Sequence, residues 1–186
     1  MNKPIKTQSL IYIALMAVII TICSWISIPG PVPFTLQTFA VFTALLLLGT
    51  KDGLISIIVY LLLGAVGVPV FSGFRGGIGH LAGPTGGYLI GFLVMGFVFG
   101  IVRHFIKHPL VSAITASILG LAACYAFGTI WFVIVYSGTN SAITYGAALS
   151  MCVLPFIIPD AVKMVLAIIL SERVKALVPS LRSVRK

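Results

Sequence analysis

The sequence predicts an all-α, polytopic membrane protein with six transmembrane helices and both termini in the cytoplasm. Of the 186 residues, 60% are hydrophobic and 8% are charged, whereas soluble domains average about 25% charged residues. At roughly 20 residues for each membrane crossing, this length accommodates about six spans. We therefore expect residues 1–186 to form one integral membrane domain, without room for a large domain outside the membrane.

The distribution of the basic residues predicts the orientation in the membrane. The chain carries 12 Lys and Arg, 3 Asp and Glu and a formal net charge of +9. Basic residues before the first span, in alternate connections and after the last span form the positive-inside pattern. They are Lys3, Lys6, Lys51, Arg103, Lys107, Arg173, Lys175, Arg182, Arg185 and Lys186. We therefore interpret the charge as topology and contact with lipid headgroups, rather than as a nucleic-acid site.

Proline and glycine set the limits of the first three spans. The first span is predicted over residues 10–28 and ends at the proline-rich external segment 29–33. Spans two and three are predicted over residues 34–48 and 54–68, on either side of a tight cytoplasmic turn at residues 51–53. Both are short for a crossing, so we expect them to tilt little or to lie beside protein rather than lipid.

Span four is predicted to open with residues 84–88 and to end near residue 102, and the last two spans are predicted over residues 110–136 and 145–170. A basic cytoplasmic turn at residues 103–109 joins spans four and five. An uncharged external turn at residues 137–141 precedes the last span.

An external, glycine-rich loop over residues 70–83 joins spans three and four. It contains five glycines, among them Gly73, together with Arg75 and His80. Unlike a disordered linker, it also carries apolar side chains, including Phe71 and Phe74. An apolar loop of this kind predicts a lid over an external pocket.

Two charged residues occupy positions at which a membrane span rarely tolerates them. Asp160 and Lys163 lie inside the apolar run 156–170, and their separation places them on one face of a helix. A buried ion in a membrane must pair, face a cavity or bind something. Pro155 and Pro159 loosen the helix just before the charges. The pair is therefore the predicted functional centre, although an ion pair that only fixes helix packing would use the same residues.

Aromatic and polar side chains near the external ends of the spans are further candidates for ligand contact. Phe34, Tyr88 and Trp131 would form apolar walls of a pocket, but interfacial aromatic belts use the same residue types. Gln37 lies one turn inside the membrane, where its amide would bond either a neighbouring helix or a ligand.

The sequence lacks the motifs of several enzyme classes. The glycine-rich loop does not match the P-loop pattern G-x-x-x-x-G-K-[ST], and neither H-E-x-x-H nor G-x-S-x-G occurs. Cys23, Cys124 and Cys152 have no metal-site spacing, so we interpret them as packed, small hydrophobic side chains. We therefore expect neither an enzyme nor a bound metal or other cofactor.

Four segments together resemble the BioY family, the biotin-specific substrate-binding (S) components of energy-coupling-factor (ECF) transporters. They are PVPFTLQT at residues 31–38, LLLGAVGVPVF at 61–71, GPTGGY at 83–88, and LPF at 154–156 followed by Asp160 and Lys163. The segments occur in the same order as in the family, and the resemblance extends over nearly the whole chain.

The resemblance implies a high-affinity, biotin-capturing subunit in the bacterial cell membrane. It also implies partners: a transmembrane coupling (T) component and two cytoplasmic ABC ATPases, which use ATP. Many S components dock to the T component through Ala-x-x-x-Ala on the first helix. Here the nearest spacings are Ile13-x-x-x-Ala17 and Ala14-x-x-x-Val18.

Biotin has the functional groups that the candidate residues would recognise. Its ureido ring has two N–H donors and one carbonyl acceptor, so Asp160 would accept from an N–H and Lys163 would donate to the carbonyl. Apolar and aromatic walls would enclose the bicycle and the valeryl chain, and Arg75 would face the carboxylate. The reverse orientation, in which Lys163 pairs with the carboxylate, stays open at this point.

Two other functions would use the same residues. An ion-coupled secondary transporter of a small organic solute would use Asp160 as its proton site. A structural membrane subunit would use Asp160 and Lys163 for packing alone.

Overall fold

The structure, a computed structural model, describes residues 7–30, 32–139 and 143–178. Within these ranges the chain forms seven helices and one two-stranded antiparallel sheet. The helices are α1 (Thr7–Trp25), α2 (Gln37–Ala65), α3 (Ile78–Ala82), α4 (Gly86–Phe105), α5 (Pro109–Thr139), α6 (Tyr145–Cys152) and α7 (Leu154–Leu177); the strands are β1 (Ser27–Ile28) and β2 (Phe34–Thr35). In this described part, α1, α2, α4, α5 and α7 have the length and composition of helices that cross a membrane, with α2 counted as one continuous helix.

Some predicted features lie outside the described residues. They are the chain ends at residues 1–6 and 179–186, which carry five of the basic residues used for the orientation, together with Pro31 and residues 140–142 of the external turns.

Helix α2 reverses its direction at Gly49, which has the non-helical angles φ 80° and ψ 176°. A Cβ on Gly53 would lie 2.9 Å from the Leu45 Cα, and the Gln37 amide lies 2.7 Å from the Tyr60 hydroxyl. A straight helix would separate Gln37 and Tyr60 by about 35 Å. Residues 37–48 and 50–65 are therefore two antiparallel arms of α2, called the first and second arm.

The two arms correspond to the predicted spans 34–48 and 54–68, but the turn lies at Gly49 rather than at residues 51–53. Its backbone conformation is essentially confined to glycine, so the chain can reverse within one residue and resume the helix immediately. The arms are only about 18 and 24 Å long, less than the roughly 30 Å of a bilayer core. Six complete crossings therefore remain a prediction.

The first arm of α2 lies at the centre of the bundle. Every residue from 40 to 48 is buried, and the arm belongs to a core that includes side chains of α1, α4 and α7. A helix that is apolar on all sides is typical of such a central position. Protein contacts thus replace lipid around this short arm.

The predicted span 145–170 is divided into α6 and α7 at Val153. Val153 has φ −124° and ψ −54°, and Pro155 follows at the second residue of α7, where a helix does not need its missing N–H. Pro159 lies inside α7 and lacks the N–H that would bond to the Pro155 carbonyl. The first turns of α7 are therefore loosened directly before Asp160.

The loop 70–83 is anchored at one aromatic side chain. Phe71 is fully buried, and its ring lies 5.5 Å from the Tyr60 ring and 5.3 Å from the His80 ring. Phe74 is 65% exposed and has a positive φ of 57°. The loop therefore buries Phe71, but it presents Phe74 towards the outside, where its ring lies 5.0 Å from the Trp25 ring.

The reversal at Gly49 generates a prediction about stability. Gly49→Ala should destabilise the fold by about 1–3 kcal/mol, because the left-handed backbone conformation strains any residue with a Cβ. Since a Cβ at Gly49 would meet no atom within 4 Å, this cost comes from the backbone alone. Thermal unfolding in detergent should show an apparent Tm roughly 5 °C below that of the wild type.

Gly146→Ala is the matched control. Its Cβ would also meet nothing within 4 Å, and Gly146 has an ordinary φ inside α6. An equal loss of Tm in both variants would contradict the conformational explanation.

Candidate ligand-binding site

Asp160 and Lys163 form an ion pair that is almost completely withdrawn from the surface. The two residues are 2% and 5% exposed, and the Lys163 Nζ lies 2.8 Å from the Asp160 Oδ1. Their spacing of three residues on α7 places them on one face. A buried ion pair is tolerated only when further hydrogen bonds satisfy both charges, and the neighbouring elements provide them.

Thr38 and Tyr125 hold the Asp160 carboxylate from two sides. The Thr38 hydroxyl donates to Oδ1 at 2.9 Å, and the Tyr125 hydroxyl donates to Oδ2 at 2.5 Å. The Lys163 ammonium donates to the Thr35 carbonyl at 2.6 Å, to Asp160 at 2.8 Å and to the Thr38 hydroxyl at 3.3 Å. All three ammonium protons therefore have an acceptor within the protein. We call these five residues the charge cluster.

An aromatic pair packs against the charge cluster. The Lys163 Nζ lies 4.1 Å from the centre of the Phe34 ring, a distance at which a cation is attracted to the ring face. The Phe34 ring in turn stacks on Phe156 with 5.8 Å between the ring centres. Phe34, one of the predicted site residues, thus contacts the charge cluster directly.

A cavity adjoins the charge cluster. The empty space inside it, together with the open space at its mouth, is about 680 Å³. Its walls come from the external loop and α4, from the middle of α5, from α6 and α7, and from Val32, Pro33, Thr35, Gln37 and Thr38. The walls are mostly apolar, and the charge cluster provides a concentrated group of polar atoms, which is the usual composition of a ligand pocket.

Four of the eight predicted site residues line this cavity: Asp160, Lys163, Gln37 and Tyr88. Gln37 and Tyr88 also bond to neighbouring helices, since the Gln37 amide donates to Tyr60 at 2.7 Å and the Tyr88 hydroxyl lies 3.0 Å from the Thr129 hydroxyl.

The other four predicted residues, Phe34, Gly73, Arg75 and Trp131, lie outside the cavity wall. The Trp131 indole donates to the Gly83 carbonyl at 3.0 Å, so it fixes the end of the external loop. Gly73 and Arg75 are exposed in the turn that the Phe71–Arg75 bridge closes.

His80 of α3 lies on the cavity wall. Its ring stacks on the Phe71 ring. Partial burial, together with the positive charge of Arg75, lowers the pKa of His80. Its imidazole is therefore neutral at pH 7, and Arg75 provides the positive charge near the cavity mouth.

Sequence reasoning missed Thr38 and Tyr125. Thr38 directly follows Gln37 in the segment 31–38, one of the four that resemble the BioY family. The polar residues Thr35, Gln37 and Thr38 in this otherwise apolar segment were the available signal. Tyr125 lies in an apolar span and contacts a residue 35 positions away, so no local pattern reveals its role. Among the described residues, no group of three or more His, Cys, Asp and Glu side chains could hold a metal ion.

Comparison with protein families decides where this chain belongs. The BioY family model matches residues 1–180. The chain belongs to the BioY family. The resemblance found in the sequence segments is thereby confirmed, and the family is one of transporters rather than of enzymes.

Several relatives are similar over almost their whole length. A probable biotin transporter BioY of Pyrococcus horikoshii is 41% identical over 171 residues, which cover 91% of this chain and 98% of the relative. The biotin transporter BioY of Thermotoga maritima is 39% identical and covers 91% and 97%. The biotin transporter BioY2 of Lactococcus lactis is 38% identical over 165 residues, which cover 88% of each chain.

A crystal structure of the S-component for biotin from an ECF-type ABC transporter has the same fold. It superimposes with a TM-score of 0.80 at 30% sequence identity and covers 95% of both chains. Together with the five apolar helices, this match confirms the all-α, multi-pass membrane architecture.

The charge cluster generates a prediction about folding that does not involve a ligand. Lys163→Met should destabilise the protein by about 3–5 kcal/mol, because it leaves the buried Asp160 carboxylate without its cation. The double variant Asp160→Asn/Lys163→Met removes both charges and should recover part of the loss. Apparent Tm values of the single and double variants in detergent would measure the coupling. A double variant whose loss of stability relative to the wild type equals the sum of the losses in the single variants Asp160→Asn and Lys163→Met would contradict a coupled pair.

Proposed function

We propose that this protein is the biotin-binding S component of an ECF-type transporter, and that the charge cluster is the polar anchor of its ligand. The observation that carries this proposal is the position of the cluster. Asp160 and Lys163 are buried side by side at the wall of a mostly apolar cavity, in a chain whose family includes biotin transporters.

The ureido group of biotin is the part that fits the charge cluster. The Asp160 Oδ2 accepts one hydrogen bond from Tyr125, and a carboxylate oxygen has room for a second donor, such as a ureido N–H. The three Lys163 protons already bond to protein acceptors. A ureido carbonyl at Lys163 would therefore exchange with an existing partner, and the long contact to Thr38 at 3.3 Å is the weakest of the three.

The apolar part of the cavity suits the rest of the molecule. Leu89, Phe92, Leu121 and Phe156 line it, and side chains of this kind would pack against the bicyclic ring and the valeryl chain. The carboxylate is costly to bury, so it would lie at the mouth near His80 and Arg75. The reverse orientation would place it beside Lys163.

The partners proposed for this subunit are a T component and two ABC ATPases. ATP would be used by those ATPases, and this chain would hold no cofactor of its own. On α1, Ile13 and Ala17 are buried, whereas Ala14 and Val18 are exposed. Of these two spacings nearest to Ala-x-x-x-Ala on α1, the one formed by Ala14 and Val18 would therefore be available for docking.

Biotin binding should depend on the charge cluster. Asp160→Asn and Lys163→Ala should each weaken biotin binding by about 2–5 kcal/mol, because each leaves a buried charge without its partner. Tyr125→Phe should weaken it by about 1 kcal/mol, the usual contribution of one hydrogen bond. Isothermal titration of the purified protein provides the affinities, and gel filtration verifies folding.

Glu172→Gln is the control, since this acid is exposed and pairs with Lys175 at 2.8 Å, away from the cavity. Folded Asp160 and Lys163 variants with the affinity of the wild type would reject the cluster as the anchor.

Biotin amides distinguish the two orientations, because they keep the ureido ring and lose the negative tail. With the carboxylate at the mouth, Arg75→Ala should abolish most of the preference for biotin over the amide, while Lys163→Ala should weaken both ligands alike. Competition binding with both ligands measures the preference. The orientation is reversed if Lys163→Ala erases the preference and Arg75→Ala leaves it intact.

A further inference from the structure

A second groove lies on the outside of the bundle, between the second arm of α2 and the last turns of α4. One wall is a stripe of aromatic and aliphatic side chains on α4, which extends for about 12 Å. The other wall is one turn of the second arm. The residues are Thr50, Leu54, Phe97, Gly100, Ile101, His104 and Phe105.

The two walls are antiparallel and in close contact. A Cβ on Gly96 would lie 2.4 Å from the Leu54 side chain, and a Cβ on Gly100 would lie 2.5 Å from the Thr50 side chain. The groove therefore has two chemically different ends. Its polar end is formed by Thr50 and His104, beside the chain turns, and its apolar end extends along α4 towards the middle of the helix.

The apolar wall of the groove is largely exposed. Phe97, Ile101 and Phe105 are 62%, 59% and 77% exposed. In a membrane protein such a stripe faces lipid, and an acyl chain is the apolar occupant available at this depth.

Two exposed lysines lie close in the chain to the residues of the polar end. Lys51 directly follows Thr50, Lys107 follows His104 by three residues, and both lysines are exposed. Asp52, the acid next to Lys51, is buried and accepts a hydrogen bond from Ser9 of α1. The ion pairs among the described residues involve neither Lys51 nor Lys107.

We propose that this groove is a binding site for an anionic phospholipid. The acyl chain lies along Phe97 and Ile101, and the phosphate lies at the polar end, near Lys51 and Lys107. A negatively charged headgroup would complement the charges of the two lysines at the polar end. Basic pockets between helices at a membrane surface are known to bind such headgroups. The site is separate from the cavity at Asp160 and independent of the ligand proposed for it.

Native mass spectrometry of the full chain, released from nanodiscs of equal parts phosphatidylglycerol and phosphatidylcholine, tests the proposal. The wild type should retain one phosphatidylglycerol in preference to phosphatidylcholine. Lys51→Gln and Lys107→Gln should each reduce this preference by about fivefold, the effect of one basic side chain beside an anionic lipid surface. Ile101→Trp, which fills the groove, should reduce retention of both lipids.

Arg173→Gln/Lys175→Gln is the control for charge, because it removes two positive charges from α7, which does not line the groove. Ile118→Trp on α5, where Ile118 is 49% exposed, is the control for bulk. Gel filtration and the apparent Tm verify folding. Equal retention of both lipids by the wild type, or an equal loss in the α7 control, would overturn the proposal. Groove variants that retain lipid normally but no longer copurify with the T component would also overturn it, and would indicate a protein interface.

Discussion

The burial of a carboxylate and an ammonium group inside a membrane protein is the constraint on which the rest of the structure depends. Either charge alone would carry a desolvation cost of several kcal/mol. The contact between Asp160 and Lys163 at 2.8 Å offsets part of that desolvation cost. Hydrogen bonds to Thr35, Thr38 and Tyr125 offset more of it. These partners come from β2, α2 and α5, so satisfying the two charges also brings four elements of the fold to one point. The cavity lies beside that point.

The first arm of α2 allows these four elements to converge. Because every residue from 40 to 48 is buried, this arm is surrounded by protein rather than lipid. Its first turn then places Thr38 against Asp160 on α7. Gly49 returns the chain within a single residue, and Gly53 allows the second arm to pack against the first at backbone distance.

The sequence predicts those features that a short stretch of residues determines. Composition and the spacing of prolines and glycines predict the apolar helices, and the three-residue spacing of Asp160 and Lys163 predicts their common face. Contacts between distant segments were not predictable in this way: Thr38 and Asp160 are 122 positions apart. The exposure of Arg75 depends on the backbone of the turn before it, where Phe74 has a positive φ, and a glycine-rich sequence allows many such turns.

The structure of this protein with biotin bound, by crystallography or electron cryomicroscopy, tests the central claim most directly. The account predicts a ureido nitrogen within hydrogen-bond distance of the Asp160 carboxylate, about 2.7–3.2 Å, and the ureido oxygen at the Lys163 ammonium. It also predicts the biotin carboxylate at the cavity mouth near His80. Biotin bound away from the charge cluster, with the contacts among Asp160, Lys163, Thr38 and Tyr125 unchanged, would contradict the account and leave the cluster with a purely structural role.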